Sequence, residues 1–141
     1  MQSMSDTYTE RFPAELDKLD NVLDFVTVHL EDAGCPMKSI TSISICLEEL
    51  FVNVASYAYP GTSGDVTLSL DIDAEERVTF IKLSDSGIPF NPLAKEDPDV
   101  SLDAEKRKIG GLGIFMVKKM MDSVEYERIG GENIVSIKKS F

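Results

Sequence analysis

Residues 65–84 read DVTLSLDID, AEE and RVTFIKLS, two strand-like runs joined by a three-residue link. Period-two alternation marks a strand, and so short a link makes the pair a hairpin. This hairpin restricts the fold more than any other feature, because two helical runs stand directly before it. From Ala14 to Ala33 apolar residues recur at Leu16, Leu19, Val22 or Leu23, Val26 and Leu30, and Gly34 follows as a stop. A second helix is predicted over Met37–Tyr57, closed by YPGTSG. Thr7–Phe12 alternates as a first strand, and Leu112–Met121 reads as a third helix. Ser123–Ile129 and Asn133–Phe141 close the chain as a second hairpin. Strand, two helices, two strands, helix, two strands is not the βα alternation of a doubly wound sheet. It predicts an α+β fold, a two-layer sandwich with helices on one face of a mixed, mostly antiparallel sheet.

A chain of 141 residues is expected to form one domain over 1–141. Its net charge of −11 repels a nucleic-acid backbone, so no direct DNA or RNA binding is expected. No stretch is read as approaching a membrane helix and no secretory pattern opens the chain, which predicts a cytoplasmic protein without a membrane contact. The two cysteines, Cys35 and Cys46, fit neither a CxxC pair nor a zinc site, and Cys46 reads as a small packed side chain.

Motifs exclude more chemistry than they admit. GxxxxGK[ST] and HExxH are both absent, and one histidine gives no material for a triad or a metal cluster. That histidine, His29, reads as an ordinary surface or boundary residue rather than a phosphoacceptor. On the second helix Ile40, Ile43, Leu47, Leu50, Val54 and Ala58 form the apolar face. Glu49 and Asn53, four apart, share a different stripe. They are either two solvated residues or an acid–amide pair suited to a hard cation such as Mg²⁺. Asp85 ends a strand and Gly87 follows, as a common Asp-Ser-Gly turn or as a close approach to a ligand. Gly110, Gly111 and Gly113 open the third helix, where they serve either as a hinge or as a surface stripped of Cβ atoms at an anion-binding helix N-terminus.

Taken in order, these segments resemble the anti-sigma-factor serine kinases of the histidine kinase-like ATPase superfamily (Bergerat fold). LEELFVNVASYAYP is similar to the N box and DSGIPFNP to the first glycine box. GGLGIFMVKKMMDSVEYERIGGENIVSIKKS is similar to the second glycine box through the last strands. The resemblance covers Thr7–Phe141 and implies ATP and Mg²⁺ as ligands. It makes Glu49 the general base, Asn53 the Mg²⁺ ligand and Asp85 the acceptor for the adenine amino group, with Gly87 against the base. Gly111, Leu112 and Gly113 meet the phosphates, and Ser136 stands near the adenine-bound water. Residues 91–109 become a lid, and Lys106, Arg107 and Lys108 at its end either neutralise the triphosphate or are simply solvated. Tyr57 departs from the histidine common at its position, and Ile88-Pro89 replaces the second glycine of the broader first box. At 141 residues, the added dimerisation domain of a histidine kinase and the transducer domain of a gyrase are not expected.

The implied function is an ATP-dependent protein-serine kinase and anti-sigma factor acting by partner switching. Its substrate would be a serine of a STAS-domain anti-sigma-factor antagonist, its other partner a sigma factor, and its form a homodimer. The alternative is an ATP-binding module that sequesters a partner without phosphotransfer. A third reading is an interaction domain with no nucleotide.

Overall fold

The computed structural model describes residues 5–94 and 111–141. Strand β1 (Ser5–Pro13) leads through a 3-10 turn at Leu16–Lys18 into α1 (Leu19–Asp32) and α2 (Met37–Tyr57). The first hairpin is β2 (Asp65–Asp73) and β3 (Val78–Asp85). A second 3-10 turn, Pro92–Ala94, precedes the undescribed stretch. Then come α3 (Gly111–Met120), β4 (Ser123–Ile129) and β5 (Glu132–Ser140). The sheet order is β1-β2-β3-β5-β4, with all four pairings antiparallel. The expected α+β sandwich is therefore present, and its sheet is antiparallel throughout the described residues rather than mixed.

Alternation explains which face of the sheet is covered. Val66, Leu68, Leu70 and Ile72 of β2 are all buried, while the residues between them remain partly exposed. Ile81 and Leu83 of β3 continue that face, and Val135 and Ile137 of β5 complete it. Each such aliphatic side chain contributes about 1.5–3 kcal/mol on burial. The helices supply the opposing layer through Val22, Val26 and Leu30 of α1 and Ile114 and Val117 of α3.

Helix α2 is the central element of that layer. Its six expected apolar positions are all buried, and Cys46, Phe51 and Asn53 are buried with them. The buried arc is thus wider than the stripe read from the sequence, because both neighbouring helices and the sheet close around it. Against expectation, α2 does have the length of a membrane span, at 21 residues and a mean hydropathy of 1.2 over its most apolar window. That apolarity serves the core, and Glu48, Glu49 and Asn53 interrupt it.

Glycine fixes the end of α1. Gly34 takes φ +80, its N–H donates to the Glu31 carbonyl at 3.0 Å, and Cys35 N–H donates to that of Leu30 at 3.0 Å. This paired closure satisfies carbonyls that the helix end would otherwise leave bare. The first helix is shorter than the predicted 14–33, since its opening turn is 3-10. His29 stacks on Tyr8 with centroids 3.7 Å apart and meets the Phe25 ring edge-on at 5.0 Å. It is a boundary residue, as its isolation in the sequence implied.

Candidate functional site

Two clefts flank α2, and the acid–amide pair divides between them. The first lies between α2 and the sheet and is lined by Asn53, Asp85, Asn133, Phe90 and Pro92 over a floor that includes Leu83 and Val135. The second lies between α2 and α3 and is lined by Cys46, Glu48, Glu49, Val52, Gly113 and Met116 among others. One helical turn separates Glu49 from Asn53, so one element presents both.

Asn53 is 6% exposed. Among the described residues its side-chain amide has no hydrogen-bond partner. A buried amide without a partner is costly and points to a group that completes it. Asp85, also 6% exposed, faces the same cleft. Its Oδ1 accepts from the Gly87 N–H at 2.9 Å and from Asn133 Nδ2 at 2.9 Å. Both bonds fall on one oxygen, and among the described residues Oδ2 has no partner.

Gly87 earns its place by contact. A Cβ built there would collide with the backbone carbonyl of Ala58, which itself accepts from the Ile88 N–H at 2.9 Å. The loop after β3 is thereby seated on the end of α2, and only a glycine allows that approach. Tyr59 adds a second tie, donating its hydroxyl to the Asp65 carbonyl at 2.6 Å and accepting from Ser86 N–H at 3.0 Å. Tyr57 stacks on Phe90 at 5.3 Å, which gives this departure from the expected histidine an observed contact. The first cleft now has about 20 Å³ of free space, enough for about one water. Of the walls, Phe90 and Pro92 belong to the segment after β3 rather than to α2 or the sheet.

Gly113 is in the first turn of α3. A Cβ built on it would overlap the Glu49 carboxylate, closer than 3.0 Å to all three of its terminal atoms. Glycine here lets the acid lie against the opening turn of the helix, 64 residues away in sequence. Gly111 is the first residue of α3 and Leu112 the second. Lys108, with Lys106 and Arg107, and most of the expected lid at 91–109 lie outside the described residues.

Ser136 must be removed from the candidate site. On β5 the inward positions are Asn133, Val135 and Ile137, and Ser136 pairs with Lys82 and Glu125 on the uncovered face. Strand periodicity makes it point away from Asp85. The residue missed in its stead is Asn133, 3% exposed and directly opposite Asp85 in the β3–β5 register. Its signal was available: an asparagine two residues before Val135 shares the apolar face.

Cys46 is fully buried, and that burial pushes its thiol up to about 11, against a smaller downward pull from Lys139. It remains a thiol at neutral pH and is a packing residue. Among the described residues no cluster of three or more His, Cys, Asp or Glu could hold a metal. A cation here would therefore need oxygen atoms from a ligand beside Asn53, as a phosphate-bound Mg²⁺ has.

Residues 12–139 match the family of histidine kinase-like ATPase domains. The chain belongs to that family. Serine-protein kinase RsbW of Listeria monocytogenes is 27% identical over 143 residues, a match covering 98% of this chain and 90% of the relative. Serine-protein kinase RsbW of Staphylococcus aureus is 24% identical over 140 residues, covering 95% and 87%. In fold, the chain is similar to the histidine kinase domain of the blue-light activated histidine kinase from Erythrobacter litoralis EL346. That likeness has a TM-score of 0.58 at 15% identity, over 92% of this chain and 61% of the other. The chain thus spans about three-fifths of that protein's length, and the likeness is one of architecture.

Proposed function

We propose that this chain is an ATP-dependent protein-serine kinase and anti-sigma factor whose substrate is a serine of a STAS-domain antagonist. A sigma factor is its competing partner, and it acts in the cytoplasm as a homodimer. The observation that carries the reading is the Glu49 carboxylate lying against Gly113 at the start of α3, one turn from the buried amide of Asn53, which has no partner among the described residues. A general base beside a helix N-terminus suits transfer of a phosphoryl group to a hydroxyl. The likeness to serine-protein kinase RsbW over 98% of the chain supports the same class.

Each residue then has one task. Asp85 Oδ2 accepts the hydrogen bond of a purine amino group, and Gly87 lets the loop close over the ring. Asn53 offers its oxygen to Mg²⁺. Gly111, Leu112 and Gly113 present backbone N–H groups to phosphate oxygens, and the charge of Lys108 offsets theirs. Glu49 takes the proton of the acceptor hydroxyl. Bound Mg-ATP supplies the transferable phosphoryl group and the neutralisation of its charge.

The test is direct. The protein is incubated with γ-labelled ATP and candidate STAS-domain proteins, beside its Glu49→Gln variant. The wild type is expected to label one antagonist on serine, and the variant to bind ATP while losing about 10² or more in transfer rate. ATP binding without transfer to any antagonist would favour the sequestering module instead. Equal rates for both proteins would remove Glu49 from the chemistry.

A further inference from the structure

Four hydrogen bonds meet at the amide of Asn133. Its Nδ2 donates to Asp85 Oδ1 at 2.9 Å and to the Ile88 carbonyl at 2.7 Å. Its Oδ1 accepts from the Tyr126 hydroxyl at 2.6 Å and from the Phe90 N–H at 3.2 Å. An amide has two donor hydrogens and two lone pairs on its oxygen, so this one is full. The partners also fix its orientation. Turned over, the NH₂ would face the Phe90 N–H, which can only donate, and the oxygen would face two acceptors.

Of those partners, Asp85 ends β3, and Ile88 and Phe90 belong to the loop that leaves it. The fourth, Tyr126, comes from β4 and holds the amide from behind. The same hairpin adds one more tie to that loop, as Arg128 Nη1 donates to the Gly87 carbonyl at 2.8 Å. The β4–β5 hairpin therefore grips the loop at Asp85, Gly87, Ile88 and Phe90.

We propose that Asn133, oriented by Tyr126, is a positioning residue that sets which base the site accepts. This rests on the nucleotide reading above. With two N–H groups on Asp85 Oδ1, turning the carboxylate would break two buried bonds. Oδ2 is thus held as the acceptor turned to the cleft. A fixed acceptor selects a purine carrying an amino group at the contacted position over one carrying a carbonyl. Aspartate at 133 would have the same shape but no donor. It would oppose the Asp85 carboxylate and the Ile88 carbonyl, and Asp85 would turn or take up a proton. Either change removes the fixed acceptor.

The experiment measures ATP and ITP binding to the intact protein by displacement of a fluorescent nucleotide, with thermal melting alongside. ITP differs in carrying a carbonyl in place of the 6-amino group. The wild type is expected to prefer ATP. Asn133→Asp is expected to compress that preference about 10-fold or more, and Tyr126→Phe, which removes only the hydroxyl, about 3-fold. A residue that merely supports the fold would weaken both nucleotides together and leave their ratio alone. A folded Asn133→Asp protein with the wild-type ratio overturns the proposal. If that variant does not fold, an unchanged ratio in Tyr126→Phe overturns it equally. Wild-type protein that binds both nucleotides alike also overturns it, whereas wild type that binds neither sinks the nucleotide reading itself.

Discussion

Replacing Gly113 by alanine separates the role proposed for Glu49 from the stability of the fold. Gly113 is the third residue of α3, and a helix gains up to about 1 kcal/mol when alanine replaces glycine. The added Cβ, however, lands on the Glu49 carboxylate. The obstruction is the end of a flexible side chain and not backbone, so the helix can keep its place while the acid moves. Restoring an ordinary contact requires a displacement of roughly 1 Å, and misplacing a reacting group by that much costs on the order of 10²-fold in rate. The expected outcome is a melting temperature within about 3 °C of wild type, or above it, with phosphotransfer reduced about 100-fold. Single-turnover transfer at saturating ATP is the assay, since it reads chemistry apart from any change in nucleotide affinity. A variant that transfers at the wild-type rate would refute the claim that Glu49 works from its position against Gly113. A fall of 10 °C in melting would refute the claim that the side chain is what yields.

Asp85→Asn keeps an oxygen for Gly87 N–H and Asn133 but turns an NH₂ toward the cleft. It should lose about 10- to 100-fold in ATP affinity with little change in melting, and wild-type affinity in a titration would remove Asp85 from base recognition. Gly87→Ala pushes against the Ala58 carbonyl, which backbone geometry cannot yield cheaply; a loss of about 2 kcal/mol, seen as a drop of roughly 5–10 °C, is expected together with loss of nucleotide binding. For Cys46 the sign follows from a folded thiol raised from 9.0 to about 11. Its stabilising share is whole below pH 9 and drains away as pH rises to 11, because the unfolded chain ionises first. Denaturation curves across that window should fall less steeply for Cys46→Ala than for wild type, and parallel falls would contradict the raised value.

The sequence was most legible where short-range patterns decide the structure. Met37–Tyr57, Asp65–Asp73 and Ser123–Ile129 match the observed elements to the residue, since glycine and proline bound the first and alternation marks the others. Glu49, Asn53, Asp85, Gly87 and Gly113 were singled out by their sequence context, and the fold places them on or beside α2. Less legible was anything set by long-range register. Asn53 looked as much like a solvated residue as a ligand, because only the packed sheet shows it buried. Ser136 was chosen by likeness to a family position, and the inward run of Asn133, Val135 and Ile137 argues against it. That Asn133 meets Asp85 depends on β5 pairing with β3, which no local pattern encodes.

That pairing has a consequence for the order of events in synthesis. Asp85 and Asn133 are 48 residues apart, with α3 and β4 between them, yet β5 is laid down inside the sheet rather than at its margin. On a ribosome, β1, β2 and β3 emerge with one flank of β3 still bare, and that flank stays open until β5 arrives. Until then Asp85 lacks the bond from the Asn133 side chain. A nascent chain would thus gain its ligand grip in one late step, and could not engage a partner by that grip while half made.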